Sequence, residues 1–208
     1  MLDQKSVDTR PALTNVTERY SQAVSYAAVL HGAQMRKGTS IAYISHLLGV
    51  SSLVIEAGGD EDLAIAGLLH DAVEDAGGLP RLADVEARFG KRVADVVFAC
   101  SDSHNEEWKA SVSYWERKQQ YLDHLVEASD DALIVSTADK LHNARAICVD
   151  LQESGVDVLD KFNGSRQEVL RYYSECCRIA VERGVSTKLT LPLQAAVEEI
   201  RAYVDGNI

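Results

Sequence analysis

The chain has 208 residues, 46% of them hydrophobic, with 21 Lys+Arg against 32 Asp+Glu and a formal net charge of −11, an ordinary globular composition. No apolar run approaches the roughly 18 residues of a membrane helix, and Met1-Leu2-Asp3-Gln4-Lys5 lacks the basic-then-apolar pattern of a signal or transit peptide, so no membrane partner is expected and the cytoplasm is the expected compartment. The acidity argues against sequence-independent nucleic-acid binding but leaves room for a small polyanion held by a local basic cluster.

Apolar residues recur at helical spacing nearly throughout, and period-2 stretches are scarce, so an all-α fold is expected. Residues 1–14 read as a flexible lead-in and 15–208 as one domain. Asn15 with Glu18 three residues on predicts a cap for a helix to about Gln34. A loop at Arg36–Ser40 contains Gly38. The second helix is predicted over Ile44–Ala57, stopped by Gly58-Gly59, and Asp60 caps a third running to about Ala76, closed by Gly77-Gly78 and Pro80. Further helices are predicted at about 81–88, 92–100, 113–127, 131–149, 165–184 and 190–204, with a surface loop at Ser101–Ala110 and Pro192 in the first turn of the last helix. Cys100, Cys148, Cys176 and Cys177 lack CxxC spacing and sit in apolar helical contexts, which predicts reduced, buried thiols.

The chemistry concentrates in Leu68-Leu69-His70-Asp71-Ala72-Val73-Glu74-Asp75. On a continuous helix His70, Asp71, Glu74 and Asp75 share an arc of about 140°. Gly67 lies within that arc and leaves room for something to approach the backbone. The pattern alone also fits a solvated acidic face. Asp139 tips the balance, because the first half of its helix is apolar almost all round and a carboxylate there needs a partner. The residues on its line, Ala132, Val135, Ser136, Asn143 and Ala146, are mostly small, so an ion or another element can come close. His and Asp side chains converging from separate helices, with His46 as a further imidazole, suit a divalent metal such as manganese, iron or zinc. His104 and His124 read as ordinary polar-surface histidines. His142, about 60° of helix rotation from Asp139, is left open by geometry and ranks behind the ligand set.

His70-Asp71 with Glu74-Asp75, the upstream His31-Gly-Ala-Gln-Met-Arg-Lys37 and Tyr43-Ile-Ser-His46, and the downstream Ala138-Asp-Lys-Leu-His-Asn143 together resemble the hydrolase domain of RelA/SpoT-type enzymes in the HD phosphohydrolase superfamily. The match spans about residues 20–175. Trp115-Glu-Arg-Lys118 extends it, while Lys161-Phe-Asn-Gly164 and Leu170-Arg-Tyr-Tyr173 fit less distinctively. The resemblance is to the family's stand-alone small alarmone hydrolases, and it implies an HD-type helical bundle around a central metal site. It further implies manganese-dependent removal of the 3′-pyrophosphate of (p)ppGpp without synthesis. By the same resemblance His46, His70, Asp71 and Asp139 bind the metal, Glu74 and Asp75 activate or position the attacking water, Arg36 and Lys37 pack around the base, and Asn143 contacts the nucleoside.

A metal bound by two imidazoles and two carboxylates polarises a phosphoryl group while a nearby carboxylate takes a proton, which agrees with that division. Arg117 and Lys118 are expected to meet phosphates, although their run also makes ordinary helix-surface pairs with Asp123 and Glu127. Arg145, roughly 120° round the helix from Asp139, has a looser claim on the site. Many family members carry proline where this chain has Ala42 and Leu47, which leaves base selectivity open between (p)ppGpp and (p)ppApp. The alternative within the superfamily is a nucleotide or NADPH phosphatase; outside it stand a slow-turnover nucleotide sensor and a helical scaffold. The oligomeric state is open, as is the place of Trp108 and Trp115 at a lid or interface.

Overall fold

The computed structural model describes residues 15–75, 77–101 and 111–206. The lead-in 1–14, the predicted end of the third helix at Ala76, and most of the 101–110 loop with His104 and Trp108 lie outside them. Among the described residues the secondary structure is helical apart from one isolated antiparallel bridge, Met35 to Ala42. No helix among them is long and apolar enough to cross a membrane.

Helix α1 (Glu18–Leu30) is capped by Thr17, whose side chain accepts from the Arg19 N–H, so the cap falls two residues after the predicted Asn15. It also ends four residues before the predicted Gln34, because a turn closes there and Gln34 enters a tight hairpin: Arg36 N–H donates to the Ile41 carbonyl and Tyr43 N–H to that of Gln34. Gly38, at φ 76°, makes the reversal that this hairpin needs. Helix α2 (Ile44–Glu56) follows, with Leu47 and Val50 fully buried.

Helix α3 (Glu61–Leu69) starts at the predicted Asp60 cap and is buried from Leu63 to Leu69. It does not run on to the predicted end. His70 and Asp71 form a turn, and α4 (Ala72–Asp75) is a separate short helix anchored by buried Ala72 and Val73. Gly67 proves to be a packing glycine: a Cβ there would stand 3.1 Å from the Ser51 Cα, so what approaches its backbone is α2.

Helix α5 (Gly78–Phe89) begins three residues before the predicted start, with Pro80 in its first turn, where a missing N–H costs nothing. Helix α6 (Lys91–Cys100) precedes α7 (Tyr114–Glu127), which opens on a reciprocal Ser113–Glu116 capping box. Helix α8 (Asp130–Ser154) is longer than predicted and buries residues on all sides over its first half. A 3₁₀ helix (Val156–Lys161), absent from the sequence expectation, then leads to α9 (Arg166–Glu182) and α10 (Thr187–Val204). Pro192 lies inside α10 and not in its first turn, because that helix begins at Ser186, which caps it through the Lys188 N–H.

Helix α8 is the hub, packed against α2, α3, α6, α9, α10 and the 3₁₀ helix. Every helix among the described residues contributes to one contiguous apolar cluster. The four cysteines are unpaired and buried, as expected. Leu141, fully buried on α8 and about 200° round the helix from Asp139, serves the core alone. Leu141→Ala is expected to cost about 2–5 kcal/mol of stability, read by urea unfolding of metal-free protein, while the polar cluster on the opposite face keeps its affinity for divalent ions.

Candidate metal centre

Three elements deliver the central side chains. His46 stands in the first turn of α2, His70 and Asp71 at the turn between α3 and α4, and Asp139 at mid α8. His46, His70 and Asp139 are buried, and among the described residues they form the one group of His, Cys, Asp or Glu with converging ligand atoms. The two imidazole Nε2 atoms are 3.3 Å apart. Asp139 Oδ1 lies 3.2 Å from His46 Nε2 and 3.5 Å from His70 Nε2, and Asp71 Oδ2 lies 3.0 Å from His70 Nε2 and 3.7 Å from His46 Nε2.

These separations test whether the residues suit a metal. Ligand atoms about 2.0–2.2 Å from one ion sit roughly 3.0 Å apart on an octahedral edge and about 3.4 Å apart on a tetrahedral one, close to all these separations but the 3.7 Å between Asp71 and His46. Tautomers agree. His70 Nδ1–H donates to the Gly67 carbonyl at 2.9 Å, leaving the Nε2 lone pair directed at the cluster. His46 Nδ1 and His142 Nδ1 are 3.0 Å apart, with Arg36 Nη1 a further 3.4 Å from His142 Nδ1. A neutral His142 accepts with its one Nδ1 lone pair, at the shorter distance from His46 Nδ1–H, and His46 Nε2 is then free to coordinate. Burial, with the adjacent His46 and Arg36, pushes His142 down to about 4, consistent with that acceptor role. His142 is therefore brought behind His46, and Gly49 makes the room: a Cβ there would stand 2.3 Å from the His142 ring.

The electrostatics are those of a cluster short of positive charge. Burial works against charge on His70, yet Asp71 and Asp139 outweigh it and hold its pKa well above the ordinary histidine range. Burial dominates at His46 and lowers its pKa. Burial also opposes ionisation of Asp71, but the charge and hydrogen bond of His70 bring it to about 2. Asp139 is likewise held well below the carboxylate range, by Lys140 first and then by both histidines. Lys140 Nζ reaches Asp139 Oδ2 at 2.5 Å, and Asn143 Nδ2 donates to Oδ1 at 2.6 Å.

Around this centre lie groups for which sequence reading assigned no role. Tyr43 donates its hydroxyl to Asp71 Oδ2 at 2.5 Å. Buried His31 holds the Gln34 side-chain oxygen at 2.7 Å, which turns the Gln34 amide to donate to Asp75 Oδ2 at 2.7 Å. The His31-x-x-Gln34 spacing, one turn apart where α1 ends, is the signal that was there to find. Desolvation and the charge of Asp71 raise the Asp75 carboxyl. Glu74 is half-buried on α4, and the Gln34 contact ties Asp75 to the groups around the cluster.

Two adjoining clefts open beside the centre. One, about 250 Å³, takes in Arg36, Lys37, Asn143, Asp150 and Phe162. The other, about 200 Å³, gathers Lys37, Arg117, Lys118 and Lys140 with Tyr172 and Tyr173. Arg36 Nη2 donates to Asn143 Oδ1 at 3.0 Å, joining the first cleft to the Asp139 side chain. The 161–164 and 170–173 stretches, the less distinctive end of the resemblance, thus supply cleft walls. Arg145 and His124 are exposed elsewhere on their helices, and Trp115 is half-buried with the Arg171 guanidinium 4.0 Å from its ring centre.

A family model described as HD domain matches residues 23–167. This chain belongs to the HD-domain family. Among its relatives in that family, the guanosine-3′,5′-bis(diphosphate) 3′-pyrophosphohydrolase MESH1 of Drosophila melanogaster is 32% identical over 139 residues, 65% of this chain and 73% of the fly protein. MESH1 of Xenopus tropicalis is 35% identical over 127 residues, 60% of this chain and 66% of the frog protein. A solved structure described as a metazoan ortholog of SpoT that hydrolyzes ppGpp superposes with a TM-score of 0.69 at 28% identity, covering 89% of this chain and 97% of that one.

The HD-domain geometry carries a prediction about His142. His142→Ala is expected to weaken divalent-ion binding by about 10–100-fold, measured by calorimetric titration of stripped protein with manganese. Unchanged affinity would show that His46 is oriented without it.

Proposed function

We propose that this HD-domain protein is a manganese-dependent hydrolase that removes the 3′-pyrophosphate from (p)ppGpp-type nucleotides. The observation that carries the reading is the juxtaposition of buried His46, His70 and Asp139, with Asp71 against both histidines, and a cation-lined cleft. The names of the fly and frog relatives support the same substrate class.

His46, His70, Asp71 and Asp139 would hold the ion. When bound, a divalent ion there supplies Lewis acidity toward a phosphoryl oxygen and makes a neighbouring water more acidic. The chain's own groups do the rest. Tyr43 fixes the Asp71 carboxylate by its hydrogen bond. Asp75, steadied by Gln34 and raised in pKa, accepts the proton of the attacking water, with Glu74 beside it on α4. Lys37, Arg117 and Lys118 meet the phosphates and offset their charge, a local task that a net charge of −11 does not forbid. Arg36 presents a planar cation to the base while its hydrogen bond positions Asn143 toward the nucleoside.

The test is product release from ppGpp, ppApp, NADPH and simple nucleotides by chelator-stripped protein with and without manganese. Metal-dependent pyrophosphate release from ppGpp is expected. Single-phosphate release from NADPH alone would instead make the protein a phosphatase. Asp139→Ala is expected to abolish metal binding and turnover together. Glu74→Gln and Asp75→Asn should keep the metal, measured by titration, while lowering kcat by about 10²–10⁴-fold.

A further inference from the structure

The cleft of about 250 Å³ ends in a pair of opposite charges that the chemistry above does not use. Asp150 is its one carboxylate among the described residues, and Lys161 stands beside it with Nζ against Asp150 Oδ2. Both side chains stay reachable, at 32% and 27% exposure respectively. A half-exposed pair of this kind adds little stability, so its place at the end of a cleft calls for another reason. Asp150 Oδ1 has no partner among the described residues.

The position is set by α8. Asp139, Asn143, Ala146 and Asp150 fall within about 60° of one another on the helix, and Asp150 lies about 16 Å along the axis from Asp139. Between them Ala146 leaves the stripe open, with apolar Ile147 and Phe162 also lining the cleft. A nucleoside laid along this stripe with its phosphates toward the metal centre brings the edge of its base to Asp150 and Lys161.

We propose that Asp150 and Lys161 read that edge and select guanine over adenine; this rests on the nucleotide reading above. Guanine presents two adjacent donors, N1–H and the N2 amino group, which match two carboxylate oxygens, and its O6 acceptor matches the ammonium beside them. In the same pose adenine turns its N1 lone pair to the carboxylate and its N6 amino group to the ammonium, so the contacts reverse in sign. Asn in place of Asp150 loses the charge and one acceptor that guanine N1–H and N2–H require and gains a donor for adenine N1.

The experiment measures kcat/KM for ppGpp and ppApp, and separately the affinity of GDP and ADP for chelator-stripped protein, in wild type, Asp150→Asn and Lys161→Met. Wild type is expected to favour guanine by about tenfold or more in both readouts. Asp150→Asn is expected to lower the guanine-to-adenine ratio by about tenfold or more, and Lys161→Met to move it the same way. A ratio unmoved in both variants, or equal losses on both bases, overturns the assignment, as does a wild-type preference for adenine. Should Asp150→Asn fail to fold, Lys161→Met decides by the same ratio. Base preference in binding without turnover of either tetraphosphate would leave the base assignment standing and remove the hydrolase reading. Turnover without base preference would do the reverse.

Discussion

Two imidazole nitrogens and two carboxylate oxygens converge within a few ångströms at the centre of a helical bundle. Carboxylates in such a place are costly unless positive charge or hydrogen bonds meet them. Lys140 and Asn143 answer for Asp139, Tyr43 for Asp71, and the two histidines bridge both. Asp71 and Asp139 favour a proton on His70 and, against its burial, hold its pKa well above the ordinary histidine range. A divalent ion and that proton are two ways of meeting one electrostatic demand, and the fixed Nδ1–H of His70 leaves Nε2 as the place where either is met.

The outer groups follow from this constraint. An imidazole held by one nitrogen has one direction left to point. Gly67 serves twice, letting α2 approach α3 and offering its carbonyl to His70. Gly49 lets the His142 ring lie against α2, where it can accept from His46. Neither glycine meets the cluster itself, yet Gly67 sets the position of His70 within it and Gly49 that of His142 behind His46.

Much of the site was legible because it sits on strong local signals. The apolar first half of α8 announced that Asp139 would be central, and the Asp60 cap placed α3 correctly. The arc of about 140° through His70 and Asp75 assumed an unbroken helix. The backbone instead turns at His70 and Asp71 and restarts at Ala72. What was not legible depends on contacts distant in sequence: Tyr43 to Asp71, Gln34 to Asp75, and His142 to His46. The 3₁₀ segment Val156–Lys161 has no 3.6-residue period to betray it, so the cleft wall it carries stayed hidden.

The acidic composition also looks different once positions are known. Arg19, Arg92, Arg166 and Arg178 are paired with carboxylates on the outer surface. In the second cleft aromatic rings add to the setting of the cations: Lys118 Nζ stands 4.6 Å from the Tyr172 ring centre, and Lys140 Nζ, paired with Asp139, 4.8 Å from that of Tyr121. A ring face attracts a cation without carrying a formal charge that would cancel it. Four cationic side chains, Lys37, Arg117, Lys118 and Lys140, thus line one cleft of a chain that is acidic as a whole. A polyanion approaching the protein finds its attraction concentrated beside the buried cluster, and there α8 fixes how far its other end extends.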